Sequence, residues 1–425
     1  MSKSPTKGSL AVIFLTVFID LLGFGIVLPL LPIYADIFGT DPSGFVIGML
    51  MASYSIMQFF FAPVWGSLSD RIGRRPVIII GLLGSVVFYL AFSVAALYHS
   101  LLGLFITRIG AGIAGATIPT AQAYIADTTT KENRARGMAL IGVAFGMGFA
   151  LGPLFAFFAV TSDQADPGAG PGFVAAGLSF VALMMAIFLL PESRDENSAA
   201  VKSSRFNLGA WRKAFSSPAM AYLLFGFFVC IFAFGNFETT LSLLIKGSDE
   251  IGQTSFNFSF RKVCLTFAFI GFLVALVQGL IVRRIAKFVS EQSLAVSGAL
   301  IEVVGFGVLT YAVAIVSEAW LFGSMVIIVT GYSCLQPSLY SLISRWTDPS
   351  EQGSALGVSQ SVGALARIFG SALGIPMLKA FLFLPYIVAS VLMLVVGIAV
   401  GVACRTGRDF ETDGSMSAEQ QANET

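Results

Sequence analysis

Apolar segments of about twenty residues recur twelve times along the chain, and they constrain its fold more than any other feature. A helix needs a segment of this length to cross the hydrocarbon core of a bilayer. The composition agrees, because only 12% of the 425 residues are charged, against about 25% in a soluble domain. We therefore predict an all-α membrane protein of twelve transmembrane helices within a lipid bilayer. The predicted spans cover residues 10–35, 45–66, 76–98, 101–125, 135–160, 172–190, 217–245, 260–282, 291–315, 319–343, 354–378 and 382–403.

A polar, Ser-rich segment between the sixth and seventh spans predicts that the chain consists of two halves. We predict an N-terminal six-helix bundle at 1–190, a cytoplasmic linker at 191–216, a C-terminal six-helix bundle at 217–405 and a disordered cytoplasmic tail at 406–425. An internal repeat supports duplication, since "VWGSLSDRIGR" aligns with "VQGLIVRRIAK" 213 residues later, and "RGMAL" resembles "QGSAL" at a similar offset. Duplicated halves are typical of secondary transporters, which bind substrate near the bilayer midplane.

The distribution of Lys and Arg predicts the orientation of the chain. With the N-terminus inside, inner segments hold 19 of the 25 basic residues, whereas the outer loops hold Lys246 and Lys379. Cytoplasmic loops of membrane proteins carry this excess. We therefore predict a multi-pass protein of the cytoplasmic (inner) cell membrane with both termini in the cytoplasm. The first span is longer than the apolar region of a signal peptide, about 7–15 residues, so we expect it to be retained.

Several function classes are disfavoured by the sequence. A net charge of +1 suggests no nucleic-acid partner. The four cysteines are far apart and His99 is the one histidine, so we predict no metal site and no cofactor. No phosphate-binding loop of the G-x-x-x-x-G-K-[ST] type occurs, which disfavours ATP-driven pumping. Without a catalytic constellation we predict a non-enzyme, with a small-molecule substrate, protons and the bilayer as partners, acting as a monomer.

The stretch "GSLSDRIGRRP", residues 66–76, gathers charge into what we predict to be the turn between spans 2 and 3. Anchoring to lipid headgroups would explain its arginines but not Asp70 among them. A carboxylate at a tight turn can cap a neighbouring helix, and arginines can clamp a second carboxylate, for which Asp127 at the end of span 4 is the candidate. We predict a conformational latch made of Gly66, Asp70, Arg71, Gly73, Arg74, Arg75 and Asp127.

Ionisable residues within spans are functional candidates, because each costs about 2.5–3.5 kcal/mol on insertion scales. Asp20 lies about ten residues into span 1, or roughly 15 Å deep. We predict that it carries a proton, with a permanent ion pair as the alternative. Glu302 near mid-depth of span 9 and Glu238 near the outer end of span 7 are further candidates for proton coupling. Arg108 in span 4 is interpreted as the partner of a carboxylate or as a participant in proton release.

Uncharged polar residues at mid-span positions suggest a wet substrate cavity. Tyr54 and Gln58 share one face of span 2 at i, i+4 spacing. Arg367, about fourteen residues into span 11, is suited to hold an anionic substrate or to pair with an acid. Hydrogen bonds to a neighbouring helix would satisfy the amide groups as well as cavity water would. The predicted cavity residues are Tyr54, Gln58, Gln122, Asn236, Gln336, Gln360 and Arg367.

Span 5 is rich in glycine. Gly142 with Gly146, and Gly148 with Gly152, each form a GxxxG pattern, which allows close approach of helix backbones. Pro153 follows directly. We interpret this segment either as dense packing or as a seal that prevents leakage of ions.

Together these motifs resemble the Major Facilitator Superfamily. "GSLSDRIGRRP" is similar to its loop 2–3 signature, "RIGAGIAGATIPTAQAYIAD" (108–127) to its helix 4 signature, and "GVAFGMGFALGP" (142–153) to the helix 5 signature of its proton-coupled antiporters. "FIDLLGFGIVLPLLP" (18–32) and "LPES" (190–193) resemble the tetracycline-resistance branch of twelve-helix drug:proton antiporters. The resemblance implies two pseudo-symmetric six-helix bundles with alternating access. It also implies that Asp70, Arg71, Arg75 and Asp127 stabilise the outward-open state.

The sequence departs from the family pattern at two places. Ala156 and Phe157 stand where the helix 5 signature continues with glycines. Tetracycline exporters carry an acidic residue in helix 3, but "SVVFYLAF" around Phe88 has none, which argues against tetracycline itself as the substrate.

The predicted function is proton-coupled efflux of a small, partly hydrophobic compound or drug. The alternatives are a proton symporter or facilitator of a metabolite such as a sugar or organic acid, and a membrane receptor or scaffold without transport.

Overall fold

The structure is a computed structural model, and it describes residues 7–39, 41–129, 134–161, 166–193, 211–212, 215, 217–247, 256–286, 288–347 and 352–406. The predicted tail from residue 407 and most of the predicted linker, at 194–210, lie outside these ranges. No strand occurs in the described ranges, and twelve helices are long and apolar enough to cross a membrane. The chain is therefore an all-α, multi-pass membrane protein, as the apolar segments predict.

We label the twelve spans α1–α12 in chain order. Two of them are interrupted: α1 consists of Lys7–Val27 and Leu31–Phe38, and α4 of Leu101–Ala114 and Ile118–Thr128. The second residue of each second part is a proline, Pro32 or Pro119, which fits a first helical turn because its missing N–H has no intrahelical partner there. The others are α2 Phe45–Ile72, α3 Arg74–Leu97, α5 Arg134–Ala159, α6 Gly170–Leu189, α7 Pro218–Lys246, α8 Phe260–Ile285, α9 Glu291–Ala314, α10 Glu318–Arg345, α11 Gln352–Ala380 and α12 Leu384–Thr406.

The predicted turn at residues 66–76 is wrong. Helix α2 continues through Asp70 and Arg71 to Ile72, and α3 begins at Arg74, so Gly73 alone separates them. Outside the hydrocarbon layer, water solvates charged side chains, so a helix can continue through them. Gly73 ends it instead, since its φ of 104° is a conformation that a residue without Cβ adopts at little cost.

The two copies of the internal repeat differ in their backbone conformation. Residues Phe45–Ile72 form a regular α-helix, whereas the matching part of α8 passes through a π-helical turn at Val277–Val282 before the short helix Arg283–Ile285. Lys287, which aligns with Arg74, lies outside the described residues.

Contacts within the chain define two compact units. Unit 1 contains α1–α6 together with Glu238–Ala275 and Ser371–Ala380. In it, α1 packs against α5 and α6, α3 against α4 and α6, and α2 against α4. A cluster of buried apolar side chains, including Ile13, Leu82, Tyr124 and Leu183, joins α1, α3, α4 and α6.

Unit 2 contains α7 up to Phe237, α8 from Leu276, α9, α10, α11 up to Gly370, and α12. Helix α9 packs most extensively against α10 and then against α12. This grouping differs from a division at the linker, because the ends of α7 and α11 and most of α8 belong to unit 1. The predicted bundle boundaries at 190 and 217 stay a prediction.

Candidate functional site

A network of charged side chains surrounds the junction of α2 and α3 in unit 1. The Arg74 guanidinium forms an ion pair with Asp70 and another with Asp127 at 3.1 Å from Nε to Oδ2, and its Nη1 donates to Ser69 Oγ at 2.7 Å. One arginine thus ties the end of α2 to the end of α4. Asp70, Arg74 and Asp127, which the sequence predicts to act together, do lie together.

Glu192, just after α6, completes this network and was missed as a site residue. Its carboxylate accepts the backbone N–H of Arg74 at 2.9 Å and that of Arg75 at 3.1 Å, so it caps the N-terminus of α3. A carboxylate there satisfies unpaired N–H groups and meets the positive end of the helix dipole. We expected Asp70 to provide such a cap. The signal for this cap in the sequence is the acidic residue of the "LPES" segment, which by itself indicates only the family resemblance.

The remaining latch residues have different surroundings. The Arg75 guanidinium donates to the Ile187 carbonyl at 2.6 Å and so ties α3 to α6. Arg71 is exposed at the end of α2, and Gly66 is half-buried opposite Pro119 of α4. All these contacts lie inside unit 1. The role of the cluster as a latch between conformations stays a prediction.

Asp20 lies in the middle of the first part of α1, with its carboxylate directed into unit 1. Its Oδ1 is buried and has no hydrogen-bond donor among the described residues, while the Ser85 hydroxyl of α3 is its polar neighbour. Gly23 lies three residues further along α1. The Tyr89 ring packs closely against it, because a Cβ added at Gly23 would lie only 3.0 Å from the edge of that ring. The surroundings of Asp20 therefore offer a hydroxyl and aromatic surface in place of a cation.

Arg108 of α4 is buried in the same unit, with 2% of the residue exposed. Its guanidinium lies 4.6 Å from the centroid of the Tyr54 ring and 5.7 Å from that of Phe24. Nε and Nη1 have no hydrogen-bond partner in the described part of the chain, so cation–π contact holds this charge. Tyr89 interacts electrostatically with both Asp20 and Arg108.

Two of the three predicted cavity residues of unit 1, Tyr54 and Gln58, contact each other. Gln58 donates to the Tyr54 hydroxyl at 3.2 Å and to the carbonyl of Gly115, in the interruption of α4, at 3.3 Å. Gln122 is half-buried near the end of α4. These hydrogen bonds join α2 to α4. Hydrogen bonding between helices is the alternative that the sequence allows in place of a wet cavity.

The glycines of α5 divide into two groups. A Cβ at Gly152 would lie 2.6 Å from the Gly25 backbone, and a Cβ at Gly25 would lie 2.6 Å from the Gly148 carbonyl. Helices α1 and α5 therefore meet backbone to backbone at the second GxxxG pattern. No atom lies within 4 Å of the corresponding positions at Gly142 and Gly146, so the close approach expected of the first pattern is absent among the described residues. Pro153 lies within α5 and is buried, as is Ala156.

A further cluster, which the sequence did not predict, lies at the opposite end of the spans in unit 1. Lys379 at the end of α11 donates from Nζ to Asp36 Oδ1 at 3.2 Å and to the Asp41 carbonyl at 2.7 Å, and its side chain is 2% exposed. The Asp41 carboxylate accepts the N–H of Ile47 at 3.0 Å and so caps α2. Sequence reasoning assigned Lys379 only to an outer loop.

Glu302 in α9 is fully buried in unit 2. Both carboxylate oxygens lack a hydrogen-bond partner in the described ranges. Gly331 of α10 faces it, and a Cβ there would lie 2.6 Å from Glu302 Cγ. This side chain is enclosed where α9 and α10 cross. Glu238, the other predicted proton-coupling residue, is half-buried and belongs to unit 1.

Two of the predicted cavity residues of unit 2 lie exposed on α11. Arg367 and Gln360 are exposed, and Gln360 donates to the Tyr340 hydroxyl of α10 at 3.4 Å. Gln336 is half-buried one turn from Tyr340, whereas Asn236 of α7 is buried. Unit 2 thus presents amide, phenol and guanidinium groups from two neighbouring helices.

The described residues contain no group of three or more His, Cys, Asp or Glu side chains placed to hold a metal ion. The charged clusters in unit 1 instead pair carboxylates with arginine or lysine.

Comparison with known proteins places these motifs in a family. A sequence profile described as Major Facilitator Superfamily matches residues 13–371. The chain is 32% identical over 368 residues to the class C tetracycline resistance protein of Escherichia coli, covering 86% of this chain and 88% of that protein. It is 27% identical over 424 residues to "Major facilitator superfamily domain-containing protein 10" of Mus musculus, covering 84% of each.

Solved structures agree in fold. The human organic anion transporter MFSD10 (TETRAN) has a TM-score of 0.68 at 24% identity, covering 94% of this chain and all of that one. A D-xylose-proton symporter has a TM-score of 0.72 at 17% identity, covering 92% of this chain and 96% of that one. The predicted all-α, twelve-span fold is confirmed.

Proposed function

Because the chain belongs to the Major Facilitator Superfamily, we propose that it exports a small, partly hydrophobic compound by proton-coupled antiport with alternating access. Family and relatives identify a membrane transporter of small molecules and not an enzyme. The direction of transport and the coupling to protons belong to the proposal.

The observation that carries the proposal is the environment of Asp20. An ionised carboxylate in the middle of a span needs a counter-ion or several donors, but Oδ1 of Asp20 has no donor among the described residues. A carboxylate in such a place can take up a proton and lose its charge. Protonation from outside would favour return of the carrier, and substrate binding would displace the proton.

Arg108 contributes to this coupling. Its charge rests on aromatic faces, no carboxylate among the described residues forms an ion pair with it, and it interacts with Tyr89, as does Asp20. A guanidinium fixed in this way adds positive potential near Asp20 without neutralising it permanently, which favours release of the proton in one conformation. We propose Arg108 as a positioning residue for proton release.

The relatives support export. The class C, class E and class B tetracycline resistance proteins of Escherichia coli are 28–32% identical to this chain over 86–87% of its length. Helix α3 nevertheless has Phe88 and no carboxylate, so we propose a substrate other than tetracycline. The bias of Lys and Arg toward the loops on the side of the N-terminus supports an orientation with both termini in the cytoplasm of a cell membrane.

The second candidate is proton symport of a metabolite such as a sugar or organic acid. Its support is the shared fold with a D-xylose-proton symporter. The two functions differ in the direction of proton movement relative to substrate.

Everted membrane vesicles with an acidic lumen distinguish these functions. We would add compounds from a panel that includes tetracycline, ethidium, naphthalene-1-carboxylate and D-xylose, and follow lumenal pH with a fluorescent weak base. Antiport releases lumenal protons when its substrate is added and accumulates labelled substrate in the lumen. Symport instead drives uptake into right-side-out vesicles with acid outside.

Two variants identify the coupling residue. We expect Asp20→Asn to abolish pH-driven accumulation while retaining exchange of labelled for unlabelled compound, since exchange needs no proton. Glu318→Gln, which neutralises an exposed carboxylate in the first turn of α10, is the control and should retain accumulation. If Asp20→Asn accumulates substrate with the same dependence on the pH gradient as the wild type, the proposed mechanism is wrong.

A further inference from the structure

The start of α2 and the end of α11 meet backbone to backbone. A Cβ at Gly48 would collide with the Ala372 carbonyl oxygen, and one at Gly44 would lie 2.9 Å from backbone atoms of Ile375. Small residues at this i, i+4 spacing let helix backbones approach closely within a membrane. These residues all belong to unit 1, whereas most of α11 belongs to unit 2. The last part of α11 is therefore held against α2.

Lys379 lies one turn beyond this contact, because it follows Ile375 by four residues. Its ammonium donates to Asp36 Oδ1 at 3.2 Å and to the Asp41 carbonyl at 2.7 Å. The lysine side chain is 2% exposed and that of Asp36 is 15% exposed. Charges withdrawn from water in this way are stable only while their partners stay beside them. The ammonium thus ties the end of α11 to the end of α1 and the start of α2.

The two acceptors of Lys379 are themselves fixed within the first six spans. The Asp41 carboxylate caps α2, which holds the backbone carbonyl of the same residue in place. Asp36 lies in the second part of α1, where the Tyr34 hydroxyl donates to the Gly168 carbonyl before α6. The acceptors therefore form a preformed receptor, and the lysine is the part that leaves when α2 and α11 separate.

Alternating access requires such a separation. A carrier that releases substrate outside must part the helices that close its outer side, and the proposed orientation places the end of α11 outside the cell. In the structure Ile375 is fully buried and the two backbones touch. A solute cannot pass between α2 and α11 at this level until the contact opens.

We propose that Lys379 is the lock of an outer gate formed by α2 and α11, and that its ammonium leaves Asp36 and the Asp41 carbonyl each time substrate is released outside. This inference rests on the proposed function, to which it adds the residue that controls one conformational step. Removal of the lysine charge leaves Asp36 buried and unpaired in the closed conformation, whereas water solvates this carboxylate in the open one. Removal therefore favours opening.

A thiol at position 375 reports the separation of the two helices. Ile375→Cys places it against the backbone of Gly44, and a membrane-impermeant maleimide is added to intact cells that express the protein. Tyr98→Cys, at an 80% exposed residue just after α3, measures access of the reagent. Peptide mass spectrometry assigns each labelled cysteine. The native Cys230, Cys264 and Cys334 are buried, so their labelling identifies unfolded protein and separates it from an open gate.

Two variants should open the gate by different means. Lys379→Met should raise the labelling rate of the Ile375→Cys thiol at least about tenfold, the effect of losing one hydrogen bond to a charged group. Gly48→Ala should raise the rate as well, because its methyl group would collide with the Ala372 carbonyl oxygen while every charge stays in place.

Lys246→Met is the matched control. Lys246 is also half-buried at this end of the spans, but its ammonium lies 4.3 Å from the centroid of the Phe260 ring of α8. This variant should leave the labelling rate at position 375 unchanged. Should Lys379→Met fail to fold, Asp36→Asn takes its place, since it removes the opposite charge of the same pair and should also raise the rate.

The outcomes separate this inference from the proposed function. An unchanged rate in Lys379→Met, or a rise that the native buried cysteines share, overturns the inference even if Gly48→Ala opens the gate. If Asp20→Asn abolishes pH-driven accumulation while Lys379→Met leaves labelling unchanged, proton antiport stands without this lock. If Lys379→Met opens the gate but Asp20→Asn accumulates substrate as the wild type does, the lock stands and the proposed coupling fails.

Discussion

Replacement of Gly152 by alanine tests whether the contact between α1 and α5 is tight. The new methyl group would lie 2.6 Å from backbone atoms of Gly25. Backbone cannot rotate aside as a flexible side chain can, so the two helices must separate locally. Extra methyl groups forced into a packed interior cost about 1–3 kcal/mol.

The matched control is Gly146→Ala in the same helix. A Cβ at Gly146 has open space around it, so this variant receives the change in helix propensity, about 1 kcal/mol in favour of alanine, without the steric penalty. The difference between the two variants therefore isolates the packing term. At about 2–4 °C per kcal/mol for a unit of 150–250 residues, we expect Gly152→Ala to unfold about 2–12 °C below Gly146→Ala.

Thiol accessibility provides the assay. Cys230, Cys264 and Cys334 are free and buried, so a dye that fluoresces on reaction with thiols reports thermal unfolding of the protein in detergent. Gly148→Ala should resemble Gly152→Ala, because its Cβ would lie 2.8 Å from Leu21 Cβ and 3.1 Å from its backbone. Equal midpoints for the Gly152 and Gly146 variants would refute the reasoning.

Two further changes test the charged clusters of unit 1 with the same thermal assay. Glu192→Ala removes the cap of α3 and should lower stability by about 0.5–2 kcal/mol, as lost caps do, whereas an unchanged midpoint would contradict that role. Lys379→Met removes a buried cation from Asp36 and should cost about 3–5 kcal/mol. The double variant Lys379→Met with Asp36→Asn should recover most of this loss, because no unpaired charge then remains, and a double variant as unstable as Lys379→Met would exclude the ion pair as the cause.

The charged stretch after span 2 illustrates where sequence reasoning fails. A cluster of Asp and Arg with two glycines predicts a turn, but the helix continues to Ile72 and ends at Gly73. Polarity marks where a chain leaves lipid, and it does not mark where a helix ends. The backbone conformation of one glycine decides the latter.

The partners of the charges were predicted only in part. We predict that Asp127 meets an arginine, and it does form an ion pair with Arg74. Successive spans end on alternate sides of the membrane, so the ends of α2 and α4 lie on the same side. Glu192 lies 118 residues from Arg74 in the sequence, and no spacing rule relates the two. The Lys379 cluster could not be predicted from the sequence for the same reason, because Asp36 is 343 residues away from Lys379.

The sequence by itself determined the number of spans, the helical class and the family, because each depends on the length of apolar segments or on short local motifs. It also located Asp20 and Arg367 in the middle of spans, since depth follows from position along a helix. Tertiary structure decided which side of each helix meets a neighbour. Two identical GxxxG patterns in α5 therefore differ, one against α1 and the other in open space, because packing depends on what lies opposite and the motif does not record it.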